Sequence, residues 1–150
     1  MVDHQLRQVG SELDVAELAA RHACQDVIVA SFALADARRR ADIADLFVKD
    51  GALCIDGTWA EGTDQIRSVL AARDADPDRR TAHVVAAMNF VGSAGNEIRV
   101  RCLVALHLLS PRNIDPLVPS ALTSVDDCLV KQGNTWRFSS REISMLAGRS

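Results

Sequence analysis

The sequence predicts an α+β fold in which a strongly curved, mixed or antiparallel sheet wraps around N-terminal helices. Helix-forming patterns occupy the first half of the chain and strand-forming patterns the second, an order typical of α+β domains. A strongly bent sheet against a long helix leaves a cone, and a pocket forms where core side chains do not fill it. The length of 150 residues suits a single domain over residues 1–150. We expect residues 1–11 to form a mobile arm.

The first helix is predicted to begin after Ser11 or Asp14, since either side chain can cap its first turn, and to end near Ala35. Side chains at i, i+4 and i+7 spacing mark a candidate inner face: Leu18, His22, Gln25, Val29, Phe32 and Asp36. Residues 27–35 carry no charge. We therefore expect this part of the helix to be covered on most sides.

The middle of the chain predicts a short helix followed by a hairpin. The helix spans roughly residues 41–47, and Asp50-Gly51 after it indicates a turn. Two short strands over residues 52–56 and 57–62 meet at Asp56-Gly57, a dipeptide typical of hairpins.

The second half of the chain predicts one more helix and four long strands. Thr63 is expected to cap a helix over residues 63–73, and a polar loop over residues 73–80 follows. The long strands are predicted over residues 81–91, 97–109, 121–131 and 135–145. The segment 110–120 holds three of the four prolines and is predicted to be irregular.

Composition excludes several classes of function. The net charge of −3 provides no basic face for nucleic acid. No apolar run approaches the roughly 20 residues that cross a bilayer, and no signal core is present, so a cytoplasmic protein is expected. The only basic cluster, Arg38 to Arg40, is interpreted as a solvated turn. The four cysteines are widely spaced and predict reduced core thiols rather than disulfides or a metal site.

Four segments in a fixed order carry a family resemblance. They read LADARRRADIADLFVKDGALCIDG (34–57), EGTDQIRSVL (61–70), TAHVVAAMNFV (81–91) and NTWRFSSREI (134–143). Together they resemble the SnoaL-like branch of the NTF2-like superfamily, over about residues 14–145. The resemblance implies an NTF2-like, cystatin-like cone. The enzymes of that branch, such as scytalone dehydratase, lindane dehydrochlorinase and bile-acid 7α-dehydratase, are lyases that need no cofactor.

The resemblance also implies catalytic residues. Asp36 and His83 match an Asp–His dyad of the branch, Arg141 matches an arginine near the leaving group, and Asn89 has a matching spacing from His83. A neutral imidazole is a suitable general base for a C–H proton, and a carboxylate that accepts its Nδ1–H fixes the tautomer. Further candidate substrate-binding residues complete the predicted pocket: Ser31 for a hydroxyl or water, Phe32 and Trp59 as apolar walls, and Asp56.

Each of these residues also has a structural interpretation. His83 is equally compatible with a satisfied core histidine, and Asp36 with a helix-end residue paired to an arginine of the 38–40 run. Arg141 is placed to bridge Asp126 or Asp127 on a neighbouring strand. In a sequence alignment, Asp56 corresponds to the general base of the ketosteroid isomerases of the superfamily. Asp also favours hairpin turns, however, because of its local hydrogen bonding.

Two function classes therefore remain open. The first is a cofactor-free lyase or isomerase that acts on a hydrophobic cyclic small molecule. The second is a non-catalytic ligand-binding protein, or a structural subunit resembling the small subunit of ring-hydroxylating dioxygenases. The second is favoured by the absence of tyrosine and by Ser31 at a position where relatives have lysine or tyrosine. In either case a homodimer or homotrimer is expected, because Arg99, Arg101 and His107 are predicted on an outward sheet face.

Overall fold

A computed structural model describes residues 9–112 and 115–148 of the chain. Most of the expected N-terminal arm, residues 1–8, lies outside this range. The elements are α1 (Val15–Asp36), a 3₁₀ helix (Arg40–Leu46), β1 (Phe47–Ile55), β2 (Thr58–Glu61), α2 (Thr63–Arg73), β3 (Thr81–Ala94), β4 (Glu97–Leu108), β5 (Ala121–Gln132) and β6 (Thr135–Gly148). The predicted α+β class is confirmed.

The six strands form one mixed sheet in the order β2-β1-β6-β5-β4-β3. β1 and β6 run parallel, and every other neighbouring pair is antiparallel. The two helices and the 3₁₀ helix pack on the concave face of the sheet, which gives a core between them. No helix among the described residues is both long and apolar enough to span a bilayer.

α1 begins as predicted, because the Asp14 side chain accepts a hydrogen bond from the Glu17 N–H at 2.7 Å. Its inner face differs from the expected stripe. The buried residues are Cys24, Ile28, Ser31, Phe32 and Ala35, whereas Leu18, His22 and Val29 are exposed. The sheet covers one side of the helix only, so apolar residues on the opposite side meet solvent.

β1 begins five residues earlier than predicted and runs through Asp50-Gly51, so the predicted turn there is wrong. The strand changes register against β6 between Phe47 and Ala52, and this irregularity accounts for the turn-like sequence. The hairpin at Asp56-Gly57 is confirmed: Ile55 pairs with Thr58, and both turn residues have positive φ, 47° and 85°.

α2 has the predicted bounds but a different cap. Gly62, with φ of 81°, occupies the N-cap in place of Thr63 and offers no side-chain acceptor. The Gln65 side chain reaches back instead and accepts a hydrogen bond from the Glu61 N–H at 3.0 Å. A glycine fits this position because positive φ carries no steric penalty without a Cβ.

Candidate functional site

A cavity of about 200 Å³ lies inside the cone. Helices α1 and α2, the 3₁₀ helix and the concave face of the sheet form its walls. The apolar part of the lining consists of Phe32, Ala35, Ile43, Phe47, Leu53, Ile55, Leu70, Leu106, Ala121, Val125, Ile143 and Met145. The polar part consists of Ser31, Arg40, Asp56, Arg73, Arg79, His83, Thr123 and Arg141. The site therefore has apolar walls with a few converging polar groups, as small-molecule sites commonly do.

Asp36 and His83 meet at one side of this cavity. Asp36 is the last residue of α1, and His83 is the third residue of β3. The His83 Nδ1 lies 2.6 Å from the Asp36 Oδ1, and the His83 backbone N–H donates to the Asp36 Oδ2 at 3.0 Å. Because a carboxylate only accepts hydrogen bonds, this contact places the ring proton on Nδ1 and leaves the Nε2 lone pair open.

The imidazole of His83 lines the cavity and stacks on the Phe32 ring, with 5.4 Å between the ring centroids. Its Nε2 has no hydrogen-bond partner among the residues that the structure describes. Burial lowers the pKa of His83 below its ordinary value of 6.5, although the hydrogen bond to Asp36 opposes this shift. The ring is therefore neutral at pH 7 and can accept a proton.

Arg141 forms a buried ion pair beneath the cavity. Its Nε and Nη2 donate to the two carboxylate oxygens of Asp127 at 2.7 and 2.8 Å, and its Nη1 donates to the Ser31 Oγ at 2.8 Å. The guanidinium also lies over the rings of Phe32 and Phe138, at 4.9 and 4.3 Å from their centroids. The structure thus places Arg141 in the predicted bridge to the neighbouring strand and also in the cavity lining.

Arg40 links the Asp36–His83 pair to a second ion pair. Its Nη2 donates to the Thr81 Oγ1 at 2.9 Å, and the Thr81 hydroxyl donates to the Asp36 Oδ1 at 3.0 Å. On its other side Arg40 binds the Asp74 carboxylate at 2.5 Å. Arg40 is only 4% exposed, so the interpretation of this arginine run as a solvated turn is wrong for Arg40.

Arg38 departs from that interpretation as well. With φ of 60°, it donates to the backbone carbonyls of Asp74, Asp76 and Pro77 and so fixes the loop between α2 and β3. Arg39 alone matches the expectation, because its side chain is exposed and pairs with Asp42.

Asp56 lies in the hairpin turn and lines the cavity. Its carboxylate accepts a hydrogen bond from the Met145 N–H at 2.8 Å. The structure therefore combines both interpretations of Asp56, the turn residue and the pocket residue.

Trp59 and Asn89 do not line the cavity. Trp59 is 52% exposed, and it pairs with Cys54 on the strand face opposite to the cavity-lining residues Leu53 and Ile55. Asn89 is exposed because β3 shifts register between Val85 and Ala87. Before that irregularity the odd-numbered residues of β3 point inward, and after it the even-numbered residues do.

The cavity lining also contains three arginines that were not predicted there: Arg40, Arg73 and Arg79. The segment RDADPDRR was interpreted as a polar loop, and the alternation of arginine with aspartate in it was the available signal. Burial and the charges of Arg40 and Arg73 lower the pKa of Arg79. Its Nε is buried without a hydrogen-bond partner among the described residues.

The cysteines form no disulfide, and burial raises the pKa of Cys24 to about 12 and that of Cys102 to about 11. Their thiols therefore stay protonated at pH 7. In the described part of the chain, no three His, Cys, Asp or Glu side chains group so as to hold a metal ion.

Comparisons with known proteins agree on the fold. A proposed scytalone dehydratase from Novosphingobium aromaticivorans superposes with a TM-score of 0.76 at 20% identity, covering 90% of this chain and 89% of its own. A proposed aromatic ring hydroxylase from the same species superposes with a TM-score of 0.73 at 18% identity. The match covers 89% of this chain and 93% of that protein. An NTF2-like protein with a cystatin-like fold, also from that species, superposes with a TM-score of 0.70 at 20% identity. The match covers 93% of this chain and 95% of that protein. At these identities the likeness shows the fold alone.

The family is shown by sequence. No curated protein sequence matches the chain. A family model of the SnoaL-like domain, however, matches residues 16–142, which is most of the chain. The chain therefore belongs to the SnoaL-like domain family and has its NTF2-like, cystatin-like fold.

Proposed function

We propose that this protein is a cofactor-free lyase or isomerase that removes a proton from a carbon atom of a hydrophobic cyclic small molecule. One observation carries the proposal: the Asp36–His83 hydrogen bond of 2.6 Å holds an imidazole that lines an apolar cavity of about 200 Å³. A base that is neutral at pH 7 and faces a bound ring is what C–H proton abstraction requires.

The proton transfer follows from the tautomer. The Nε2 lone pair takes a proton from the carbon next to a carbonyl or similar activating group, and the C–H electron pair moves into an enolate. Asp36 stabilises the imidazolium that forms, while remaining ionised itself. A positioned base of this kind contributes on the order of 10²–10⁴-fold to the rate.

His83 also supplies the acid of the second half-reaction. The sequence contains no tyrosine, and the cavity lining formed by the described residues holds no second histidine. The imidazolium therefore returns its proton, either to a departing β-hydroxide, which leaves as water while the C=C bond forms, or to the γ-carbon of a dienolate, where the substrate has a C=C bond conjugated with the enolate. The first route is a dehydration and the second an isomerisation. In both routes the proton leaves and returns on one face of the substrate.

Arg141 supports the charge that develops in this reaction. Three of its five N–H groups are engaged by Asp127 and Ser31, and the guanidinium remains in the cavity lining. A fixed cation near the enolate lowers the energy of the developing negative charge without moving. Phe32, packed between His83 and Arg141, holds both groups in place.

A non-catalytic pocket is the second candidate function. Ser31 donates to the Ile28 carbonyl at 2.6 Å and accepts from Arg141, so it is less available to a substrate hydroxyl than the sequence suggests. With both Ser31 and Arg141 engaged, the polar groups that assist a leaving group are few. This feature favours binding without turnover.

The exchange of a carbon-bound proton with solvent tests the proposal without knowledge of the natural substrate. We would incubate 2-tetralone, an apolar bicyclic ketone with an activated C–H, in D₂O with the protein and follow deuterium uptake by NMR. Wild-type protein should accelerate exchange, and His83→Ala should lower the rate by about 10²–10⁴-fold. Arg99→Gln, on the outward face, serves as the control and should exchange at the wild-type rate. Equal rates for wild type and His83→Ala would refute the base, and tight binding without exchange would favour the non-catalytic pocket.

A further inference from the structure

Two arginines of the cavity lining form no ion pair within the part of the chain that the structure describes. Arg73 and Arg79 both line the cavity, and neither forms an ion pair with any residue that the structure describes. The other two lining arginines are paired, Arg40 with Asp74 and Arg141 with Asp127. Among the described residues, two arginines of the lining are therefore without an ion-pair partner.

The carboxylates that act on Arg79 form their hydrogen bonds with other groups. Asp74 and Asp76 are the acidic residues that act on it electrostatically. Asp74 accepts hydrogen bonds from the Arg40 side chain and backbone, and Asp76 accepts one from the Asp78 N–H at 3.0 Å. Asp56, the acidic residue of the lining formed by the described residues, is not among the groups that influence Arg79.

The backbone that carries these two arginines is held by the helix and by hydrogen bonds of the loop. Arg73 belongs to the last turn of α2. Arg79 follows the loop that Arg38 holds through three backbone carbonyls, and the Arg79 N–H donates to the Asp76 carbonyl at 3.2 Å. A preorganised pair of cations binds an anion without the cost of ordering the loop.

The protein environment of Arg79 disfavours its positive charge. Its Nε is buried and lacks a hydrogen-bond partner within the described residues. Burial and the like charges of Arg40 and Arg73 both act against its charged form. Because Arg79 lines the cavity, an anion bound there would offset the repulsion between the arginines. Guanidinium groups suit a carboxylate because their N–H donors match its two oxygens.

We propose that the ligand of this cavity is an amphipathic anion, an apolar ring system whose carboxylate binds Arg73 and Arg79. The ring fills the apolar part of the cavity and lies against His83. The inference rests on the proposed function for the use of the same cavity and adds the charge of the substrate.

Binding of a matched pair of probes tests the inference. We would titrate the protein with 1-naphthoate, which is ionised at neutral pH, and with the neutral, nearly isosteric 1-naphthamide, using isothermal titration calorimetry. Wild-type protein should bind naphthoate at least about tenfold more tightly than naphthamide. Arg79→Gln and Arg73→Gln should each weaken naphthoate binding by about 10- to 100-fold. Naphthamide binding should stay unchanged, which also shows that the cavity of each variant is intact.

The control removes an equal charge elsewhere. Arg99→Gln acts at an exposed arginine that pairs with Glu97, and it should leave both affinities unchanged. Equal affinities of wild type for the two probes, unmeasurable naphthoate binding, or the same loss in Arg99→Gln as in Arg79→Gln would each overturn the inference. Binding is measured without turnover, so a failure here leaves the His83 exchange test intact. Failure of the exchange test likewise leaves the anion preference standing.

Discussion

The Asp36 carboxylate accepts hydrogen bonds from three donors: the His83 Nδ1–H, the His83 backbone N–H and the Thr81 hydroxyl. Two of these donors belong to the residue that Asp36 orients, so ring and backbone are fixed together. A carboxylate in this arrangement sets the tautomer of the imidazole and stabilises its cation. We therefore assign Asp36 a positioning role in the proposed reaction.

The Asp36→Asn substitution tests that role. The oxygen of the new amide can still accept from the His83 backbone N–H, and its NH₂ group would then donate to Nδ1. The ring proton moves to Nε2, and the base is lost while the shape is kept. We expect 2-tetralone exchange to fall by about 10²–10⁴-fold, with an unchanged circular dichroism spectrum. Exchange at the wild-type rate would show that Asp36 does not control the tautomer.

For Arg141, the question is whether its main role is structural, because its contacts with Asp127 are those of a structural ion pair. Both side chains are buried, at 4% and 0% exposure. Breaking such a pair by removing one partner costs about 3–5 kcal/mol, because the other charge stays buried. Replacing both charges with apolar groups of similar volume is often neutral.

A double-mutant cycle in urea unfolding tests this role. Arg141→Met and Asp127→Leu should each lower the free energy of unfolding by about 3–5 kcal/mol, and the double variant should lose far less than the sum. A loss below about 1 kcal/mol for Arg141→Met alone would mean that the pair contributes little and that Arg141 serves the cavity instead.

At the scale of single elements, β3 shows where a sequence pattern stops being informative. The spacing between His83 and Asn89 is even, so a regular strand would place both on one face. The register shift between Val85 and Ala87 reverses this: Met88 and Phe90 pack against the core and Asn89 is exposed. The apolar character of Met88 and Phe90 was the visible sign, but a bulge cannot be located from alternation alone.

The irregular start of β1 depends on a glycine. A Cβ at Gly51 would lie 2.9 Å from the Phe47 Cδ1 and 3.0 Å from the Val48 carbonyl oxygen. Phe47 cannot easily yield, since it packs against Phe138 with 5.1 Å between the ring centroids. This contact explains why a glycine follows Asp50 inside a strand.

Gly51→Ala should therefore destabilise the protein by about 1–3 kcal/mol, measured by urea unfolding. Gly92→Ala, in β3, is the matched control. Its nearest atoms are 4.0 Å away on the Arg99 side chain, so it should be neutral or slightly stabilising. Equal stability of the two variants would show that Phe47 and the bulge relax without cost.

For the whole molecule, the sequence was sufficient to predict the fold class, the order of most helices and strands, and the proximity of Asp36 to His83. These follow from local patterns and from a resemblance that spans most of the chain. The arginines of the cavity could not be predicted in the same way. Arg40 and Arg79 are brought to the cavity by contacts between the α1 end and the loop before β3, more than 30 residues apart in sequence. Long-range pairing of charged loops leaves no periodic signal.

At the same scale, the contact between copies of the chain through the convex face of the sheet stays a prediction. Arg99 and Arg101 are exposed there and pair with Glu97 and Asp126. Their outward direction agrees with the alternation expected for β4. The homodimer or homotrimer expected through this face would be settled by sedimentation equilibrium.

The pH dependence of global stability should report the environment of His83. In the folded protein, burial and the charges of Arg40 and Arg141 lower its pKa below 6.5 against the opposing effect of Asp36. At a pH between the pKa of His83 in the folded protein and its higher pKa in the unfolded chain, the imidazole is protonated in the unfolded chain and neutral in the folded protein. The contribution of His83 to stability is therefore present above about pH 6.5 and is lost as the pH falls. We expect the free energy of unfolding, measured in urea between about pH 8 and 5.5, to fall less steeply for His83→Gln than for wild type. A steeper fall in the variant would mean that folding raises the pKa of His83 and that the imidazole is charged in the cavity, which would exclude it as the base.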